Sequence, residues 1–182
     1  YATPATADLA DIMLRDSGHI QEADVEYVNK KRLRNGEPPV EPLYTVRDAE
    51  RVAKHMREVP YLREFEPVPG VTARFVDAGH ILGSAGLALD IKERGRNIRL
   101  WFSGDIGRER LPLLQDPVLP EAADYLIMES TYGDKPHREP ELAYTELKQV
   151  VGQTARRGGK VIVPAFAVGR TQELVYMLNQ MI

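Results

Sequence analysis

Three side chains that can bind metal ions or move protons stand where predicted strands end. His80 follows the alternating segment Val71 to Val76 and lies in a loop rich in small residues, Gly79 to Gly86. Asp105 is flanked by glycines after a second strand, and Glu129 follows a third. Small residues let backbone and side chains approach a ligand closely. We therefore expect the three groups to meet at one sheet edge, where an aspartate can bridge two cations.

Each of these residues also has a plainer interpretation. A histidine at a strand end is often a hydrogen-bonded structural residue, and an aspartate in a turn often caps its own loop. Glu129 alone would suggest a helix cap or a loop acceptor. The chain has no cysteine, so any metal must be held by His, Asp or Glu.

Composition narrows the class of protein. The 182 residues suffice for one domain, or for one domain and part of another. A content of 43% hydrophobic and 28% charged residues is typical of a globular protein. No apolar run approaches the roughly 20 residues of a membrane span and no signal peptide is seen, which predicts a cytoplasmic protein without a membrane partner. The net charge of -3 gives no support for a polyanionic partner.

The first third of the chain is predicted to be helical. One helix runs from Thr6 to Ser17 with Gly18 as its stop, and a charged helix follows from Glu22 to Arg34. The basic run Lys30 to Arg34 can contact phosphate, but we favour a solvated helix face. Thr45 and Asp48 resemble a capping box without its usual Glu, opening a helix that carries His55 and ends near Val59.

The rest of the chain changes from a strand meander to alternating strands and helices. Three strands are predicted first, and a β-α-β-α pattern follows, with a buried strand at Val161 to Val163. We place a domain boundary in the loop Gly133 to Pro140, which gives domains 1–134 and 135–182. The chain starts with Tyr1 and stops in an apolar-periodic stretch at Ile182, so we expect a piece of a longer protein. The predicted strands span 71–76, 87–91, 97–102 and 125–128, and the later helices begin at Glu141 and Thr171.

Four motifs then resemble one family. GHILGSAG, FSGDIGR, ESTYGD and PAFAVGRTQEL occur in the order seen in metallo-β-lactamase-fold nucleases of the β-CASP group, such as ribonuclease J and the endonuclease of pre-messenger-RNA cleavage and polyadenylation. The resemblance covers roughly Phe75 to the C-terminus, and Tyr1 to about Leu14. It implies an α/β fold: part of an αββα sandwich, with a mixed or antiparallel sheet and flanking helices, continuing after residue 134 into the start of a β-CASP domain.

The resemblance also implies roles for the three strand-end residues. His80 would bind one of two zinc ions, Asp105 would bridge both, and Glu129 would orient a catalytic histidine. The family's His-x-His-x-Asp-His cluster and its two later histidines are absent from this sequence. His19 and His55 lack a paired ligand at suitable spacing, and we interpret His137 as structural.

Two further residues are candidates for contact with RNA. The turn Ala165 to Arg170 leads into a helix whose N-terminus can receive a phosphate. Arg170 would add donors there, or would instead form a salt bridge with Glu173. Ser84 is a weaker candidate for phosphate contact.

The resemblance predicts a zinc-dependent phosphodiester hydrolase acting on RNA in the full-length parent. It would be an endoribonuclease, with 5′ exonuclease activity as an option, and would pair through its β-CASP region. The 182 residues alone are expected to be inactive. Two alternatives stay open: a non-catalytic scaffold subunit of an RNA-processing complex, and a metallo-hydrolase of small esters or thioesters.

Overall fold

A computed structural model describes residues 1–136 and 139–181, so the prediction for His137 lies outside the described residues. One five-stranded sheet has the order β1-β2-β3-β4-β5, with β1 antiparallel to β2 and β4 parallel to β5. This mixed sheet with helices confirms the α/β class. The described elements are α1 (Pro4–Arg34), α2 (Val46–Ala53), β1 (Glu64–Val68), β2 (Val71–Asp77), β3 (Ala85–Glu93), β4 (Arg96–Phe102), β5 (Tyr125–Ile127), α3 (Pro140–Arg156) and α4 (Arg170–Asn179).

The chain divides into two compact units. The first comprises Tyr1–Phe75 and Leu89–Asn97, and the second comprises Val76–Ala88 and Ile98–Ile182. This division differs from the predicted boundary in the loop after Gly133, and the assignment of residues 1–134 and 135–182 to two domains stays a prediction. Within the described residues, no helix is long and apolar enough to cross a membrane.

In the first unit, α1 is one continuous helix of 31 residues. The predicted stop at Gly18 is wrong, and so is the separate second helix. Gly18 is buried, and a Cβ built there would lie 2.8 Å from the backbone N of Val46 and 2.9 Å from the carbonyl carbon of Thr45. The glycine therefore lets the start of α2 approach α1.

The start of α2 is fixed by a complete capping box. The hydroxyl of Thr45 accepts from the N–H of Asp48 at 3.3 Å, and the Asp48 carboxylate accepts from the N–H of Thr45 at 3.0 Å. The helix ends at Ala53, so the prediction that it reaches Val59 and carries His55 is wrong. Beyond the helix, the N–H of Val59 donates to the carbonyl of Ala2 at 2.8 Å.

The basic run at the end of α1 takes part in local ion pairs. Lys30 binds Glu26 at 2.8 Å and Arg32 binds Glu37 at 3.1 Å, which agrees with a solvated helix face.

The second unit is built around Val76, Ala88 and Trp101, which form its buried apolar cluster. The strands that carry them, β2, β3 and β4, were predicted to within about two residues at each end. β2 leads into the loop that carries His80, β3 follows that loop, and β4 leads into the turn that carries Asp105.

One prediction for the second unit is wrong. Residues 161–163 form no strand, and the side chains are exposed, Ile162 to 91%. An apolar run predicts burial only where a neighbouring strand covers it, and among the described residues the sheet ends at β5.

Candidate active site

Hydrogen bonds from backbone N–H groups to the side chains of Asp77 and Ser84 hold the loop after β2, which carries His80. The Asp77 carboxylate accepts from the N–H of Gly79 at 2.8 Å. The Ser84 hydroxyl oxygen accepts from the N–H of His80 at 3.0 Å and from that of Ile81 at 3.2 Å. Ser84 therefore acts here inside the loop, and its contact with RNA stays a prediction.

The turn after β4 presents Asp105 between two glycines with different functions. Gly104 has a φ of 60°, a left-handed backbone conformation that residues with a side chain rarely adopt. Gly107 donates its N–H to the carbonyl of Ala78 at 2.7 Å, and a Cβ built on it would lie 1.5 Å from the carbonyl oxygen of Gly79. The Asp105 turn and the His80 loop thus touch through their backbones.

This contact brings the two side chains together. His80 Nε2 lies 3.9 Å from Asp105 Oδ2. The side chains are 44% and 77% exposed, so both are open to a ligand from solvent. The sequence placed these residues at strand ends, and the structure places them side by side.

Glu129 approaches the same turn from the end of β5. Its Oε1 accepts from the N–H of Ile106 at 2.9 Å, and its Oε2 accepts from the N–H of Thr131 at 3.3 Å. The hydrogen bond from the Thr131 side chain is the main reason that the pKa of Glu129 is lowered. The N–H of Ile106 and the charge of His80 act in the same direction. The carboxylate is therefore stabilised in its ionised form, and it contacts the turn in the way expected of a loop acceptor.

Sequence reasoning missed Ser103, a buried polar residue directly after β4. Its hydroxyl donates to the carbonyl of Gly104 at 2.6 Å and accepts from the N–H of Glu129 at 3.2 Å. The feature of the sequence that could have pointed to Ser103 is its position two residues before Asp105.

Comparison with known proteins identifies the group to which this geometry belongs. Ribonuclease TTHA0252 of Thermus thermophilus is 34% identical over 98% of this chain and 36% of its own length. An RNase J-like protein of Methanocaldococcus jannaschii is 31% identical over 100% of this chain and 38% of its own. Transcription termination factor FttA of Thermococcus kodakarensis is 36% identical over 99% of this chain and 26% of its own.

The chain belongs to the metallo-β-lactamase-fold β-CASP nucleases. The resemblance seen in the four motifs is confirmed, although no family model matches the chain. The chain spans about a quarter to two fifths of the length of these relatives.

In this β-CASP chain the pair of His80 and Asp105 fits a shared metal ion. Zinc binds imidazole nitrogen and carboxylate oxygen at about 2.0 to 2.2 Å in tetrahedral geometry, so two such atoms on one ion lie about 3.4 Å apart. The observed 3.9 Å is about 0.5 Å longer, a difference that a small rotation of either exposed side chain can close. Among residues 1–136 and 139–181 no group of three or more potential ligands is found, and a complete zinc site needs more ligands than these two residues.

The turn predicted to receive a phosphate leads into α4, which begins at Arg170. Arg170 binds Glu173 at 3.1 Å, which is the alternative that the sequence left open. Gly169, at the N-cap, has a φ of 84°, and a Cβ there would lie 2.9 Å from Ile81 Cγ2, next to His80. The start of α4 thus packs against the His80 loop.

Proposed function

We propose that the protein is a metal-dependent nuclease that cleaves RNA, with His80 and Asp105 as ligands of its metal ions. The observation that carries the proposal is the 3.9 Å approach of the His80 imidazole to the Asp105 carboxylate. The relatives support the choice of substrate, because one of them is a ribonuclease and another is RNase J-like.

Zinc is the ion we propose, with two ions in the complete site. Zinc, when bound, would make a water molecule acidic enough to be present as hydroxide near neutral pH, and its positive charge would stabilise the negatively charged phosphate. In this proposal, residues of this chain bind the metal ions. His80 would hold one ion through Nε2, and the carboxylate of Asp105, which has two oxygens, would help to hold both ions. Glu129 stays ionised and holds the turn of Asp105 through Ile106.

The activity is proposed for the complete gene product. A metal clamp needs all of its direct ligands, and the described residues provide two candidates close together. We therefore expect residues 1–182 alone not to hydrolyse RNA. On the sequence resemblance, we also propose a homodimer through the β-CASP region and a cytoplasmic location.

The test uses the complete gene product, freed of metal with a chelator and then supplied with zinc. Labelled RNA, DNA of the same sequence and a small thioester are offered to it in parallel. We expect RNA cleavage that the chelator abolishes and zinc restores, together with bound zinc measured by atomic absorption.

The variants His80→Ala and Asp105→Asn connect that activity to the site. Each should lower RNA cleavage by more than about 100-fold, beyond the usual effect of changing a residue that only supports a metal ligand. His55→Ala, in the turn after α2, is the control and should keep full activity. Thioester hydrolysis without RNA cleavage would overturn the proposal, and so would full cleavage by both site variants.

A further inference from the structure

We propose that Ser103 is a positioning residue that fixes the backbone before Asp105 to the segment that carries Glu129. The proposal rests on the proposed function only in that Asp105 is taken as the metal ligand being positioned. The geometry that supports it consists of three hydrogen bonds around one buried hydroxyl and one carboxylate.

The hydroxyl of Ser103 has a partner on each side. Ser103 is 6% exposed, and a serine hydroxyl offers one donor and two acceptor positions. It uses the donor on the carbonyl of Gly104, at 2.6 Å, and an acceptor position on the N–H of Glu129, at 3.2 Å. One side chain therefore joins Gly104, the residue before Asp105, to Glu129, the second residue after the end of β5.

The backbone on the other side of Asp105 is tied to the same segment. The N–H of Ile106 donates to the carboxylate of Glu129 at 2.9 Å. Asp105 thus lies between two anchored peptide groups, although its own side chain is 77% exposed. An exposed carboxylate on a fixed backbone is ready to bind a cation with less loss of conformational freedom than one on a mobile loop.

Removal of the hydroxyl should loosen both anchors. Ser103→Ala leaves the partly buried Gly104 carbonyl and Glu129 N–H without their shared partner, which is costly. Ser103→Thr keeps the hydroxyl. A cavity of about 70 Å³, lined in part by Ser103, Trp101 and Met128, offers room for the added methyl group.

The experiment measures backbone amide hydrogen exchange by NMR in the metal-free protein. In Ser103→Ala we expect the amides of Glu129 and Ile106 to exchange at least about 10-fold faster, while the amide of Ala88 in β3 keeps its rate. Ser103→Thr should restore slow exchange. Ser130→Ala, at an exposed position next to Glu129, is the matched control and should resemble the unchanged protein.

Two results would overturn the proposal. One is an Ile106 amide that keeps its rate in Ser103→Ala. The other is an equal acceleration at Ala88, because the hydroxyl would then support the whole unit instead of the turn.

A second measurement separates this proposal from the proposed function. In the complete gene product, Ser103→Ala should lower kcat for RNA with little change in KM, and Ser103→Thr should recover it. If the unchanged protein does not cleave RNA, the proposed function fails, while the exchange rates of the metal-free protein still decide the role of Ser103. If RNA is cleaved and kcat is unchanged in Ser103→Ala, the positioning role fails alone.

Discussion

Gly107 and Gly79 are in such close backbone contact that a Cβ on Gly107 would lie 1.5 Å from the Gly79 carbonyl oxygen. The N–H of Gly107 also donates to the carbonyl of Ala78 at 2.7 Å. One of the two contacting segments carries His80 and the other carries Asp105. Their close approach is therefore made by the backbone and requires that position 107 has no side chain.

The variant Gly107→Ala should force the two segments apart. A real Cβ cannot approach an oxygen so closely, so we expect a loss of roughly 1–3 kcal/mol in the free energy of unfolding, as in other overpacked sites. Urea unfolding measures the loss, and the NMR signals of the His80 ring should shift as Asp105 moves away.

Gly152→Ala is the matched control for that experiment. Gly152 lies within α3, and the nearest atom to a Cβ there is Arg156 Nη1 at 3.7 Å. This variant should gain up to about 1 kcal/mol, because alanine favours helices. A Gly107→Ala protein as stable as the unchanged one would show that the backbone contact is looser than described.

Gly18→Ala tests a glycine whose local and tertiary effects oppose each other. Gly18 lies inside α1, where alanine should stabilise the helix by about 1 kcal/mol. The added Cβ would, however, lie 2.8 Å from the backbone N of Val46. We expect the steric effect to dominate, so that Gly18→Ala lowers the melting temperature whereas Gly152→Ala raises it. An increase in both would mean that α2 shifts away at little cost.

The same glycine shows why part of the fold was not predicted. Gly18 looked like a helix stop in the sequence, because its partner, the start of α2 at Val46, lies 28 residues later. β1 was missed because Pro67 and two glutamates mask its alternation. β2, β3 and β4 were found since their apolar residues alternate over a buried face.

The residue types of the candidate site and their meeting at one sheet edge were predictable, whereas the distances between the side chains were not. His80 and Asp105 are marked by strand ends and neighbouring glycines, which are local features. Their separation of 3.9 Å depends on the contact between Gly107 and Gly79, which no local pattern reveals. Ser103 was missed because a serine becomes informative only when its two partners are known.

Glu129 should make stability depend on pH. Its pKa is lowered chiefly by the Thr131 side chain and next by the Ile106 N–H. A lowered carboxyl pKa adds stability above the usual carboxyl pKa, and this is lost as pH falls through the folded value. Glu129→Gln should thus be less stable by about 1 kcal/mol at pH 7, because a neutral acceptor replaces a charged one.

The difference between the two proteins should shrink as pH falls from about 5 to about 3. Urea unfolding at a series of pH values measures it, with Glu121→Gln at an exposed loop position as the control. A gap that stays constant down to pH 3 would show that the charge of Glu129 contributes nothing.

The ion pair of Arg170 and Glu173 calls for a double-mutant cycle. The Glu173 side chain is 10% exposed, so Arg170→Ala leaves a mostly buried carboxylate without its partner. We expect that variant to lose about 1–3 kcal/mol, and the variant Arg170→Ala with Glu173→Gln to lose less than the sum of the single changes. Arg156→Ala, at an exposed position, should be nearly neutral.

The same variants separate the structural role of Arg170 from contact with RNA. In a Glu173→Gln background the ion pair is already lost, so any further effect of Arg170→Ala on RNA affinity reports a direct contact. Loss of a phosphate contact should weaken binding for all RNA sequences alike. It should also reduce the slope of log affinity against log salt concentration by about one. If affinity and slope stay the same in that background, Arg170 serves only to neutralise Glu173 at the start of α4. The helix would then contribute to the site by packing Gly169 against Ile81, beside His80.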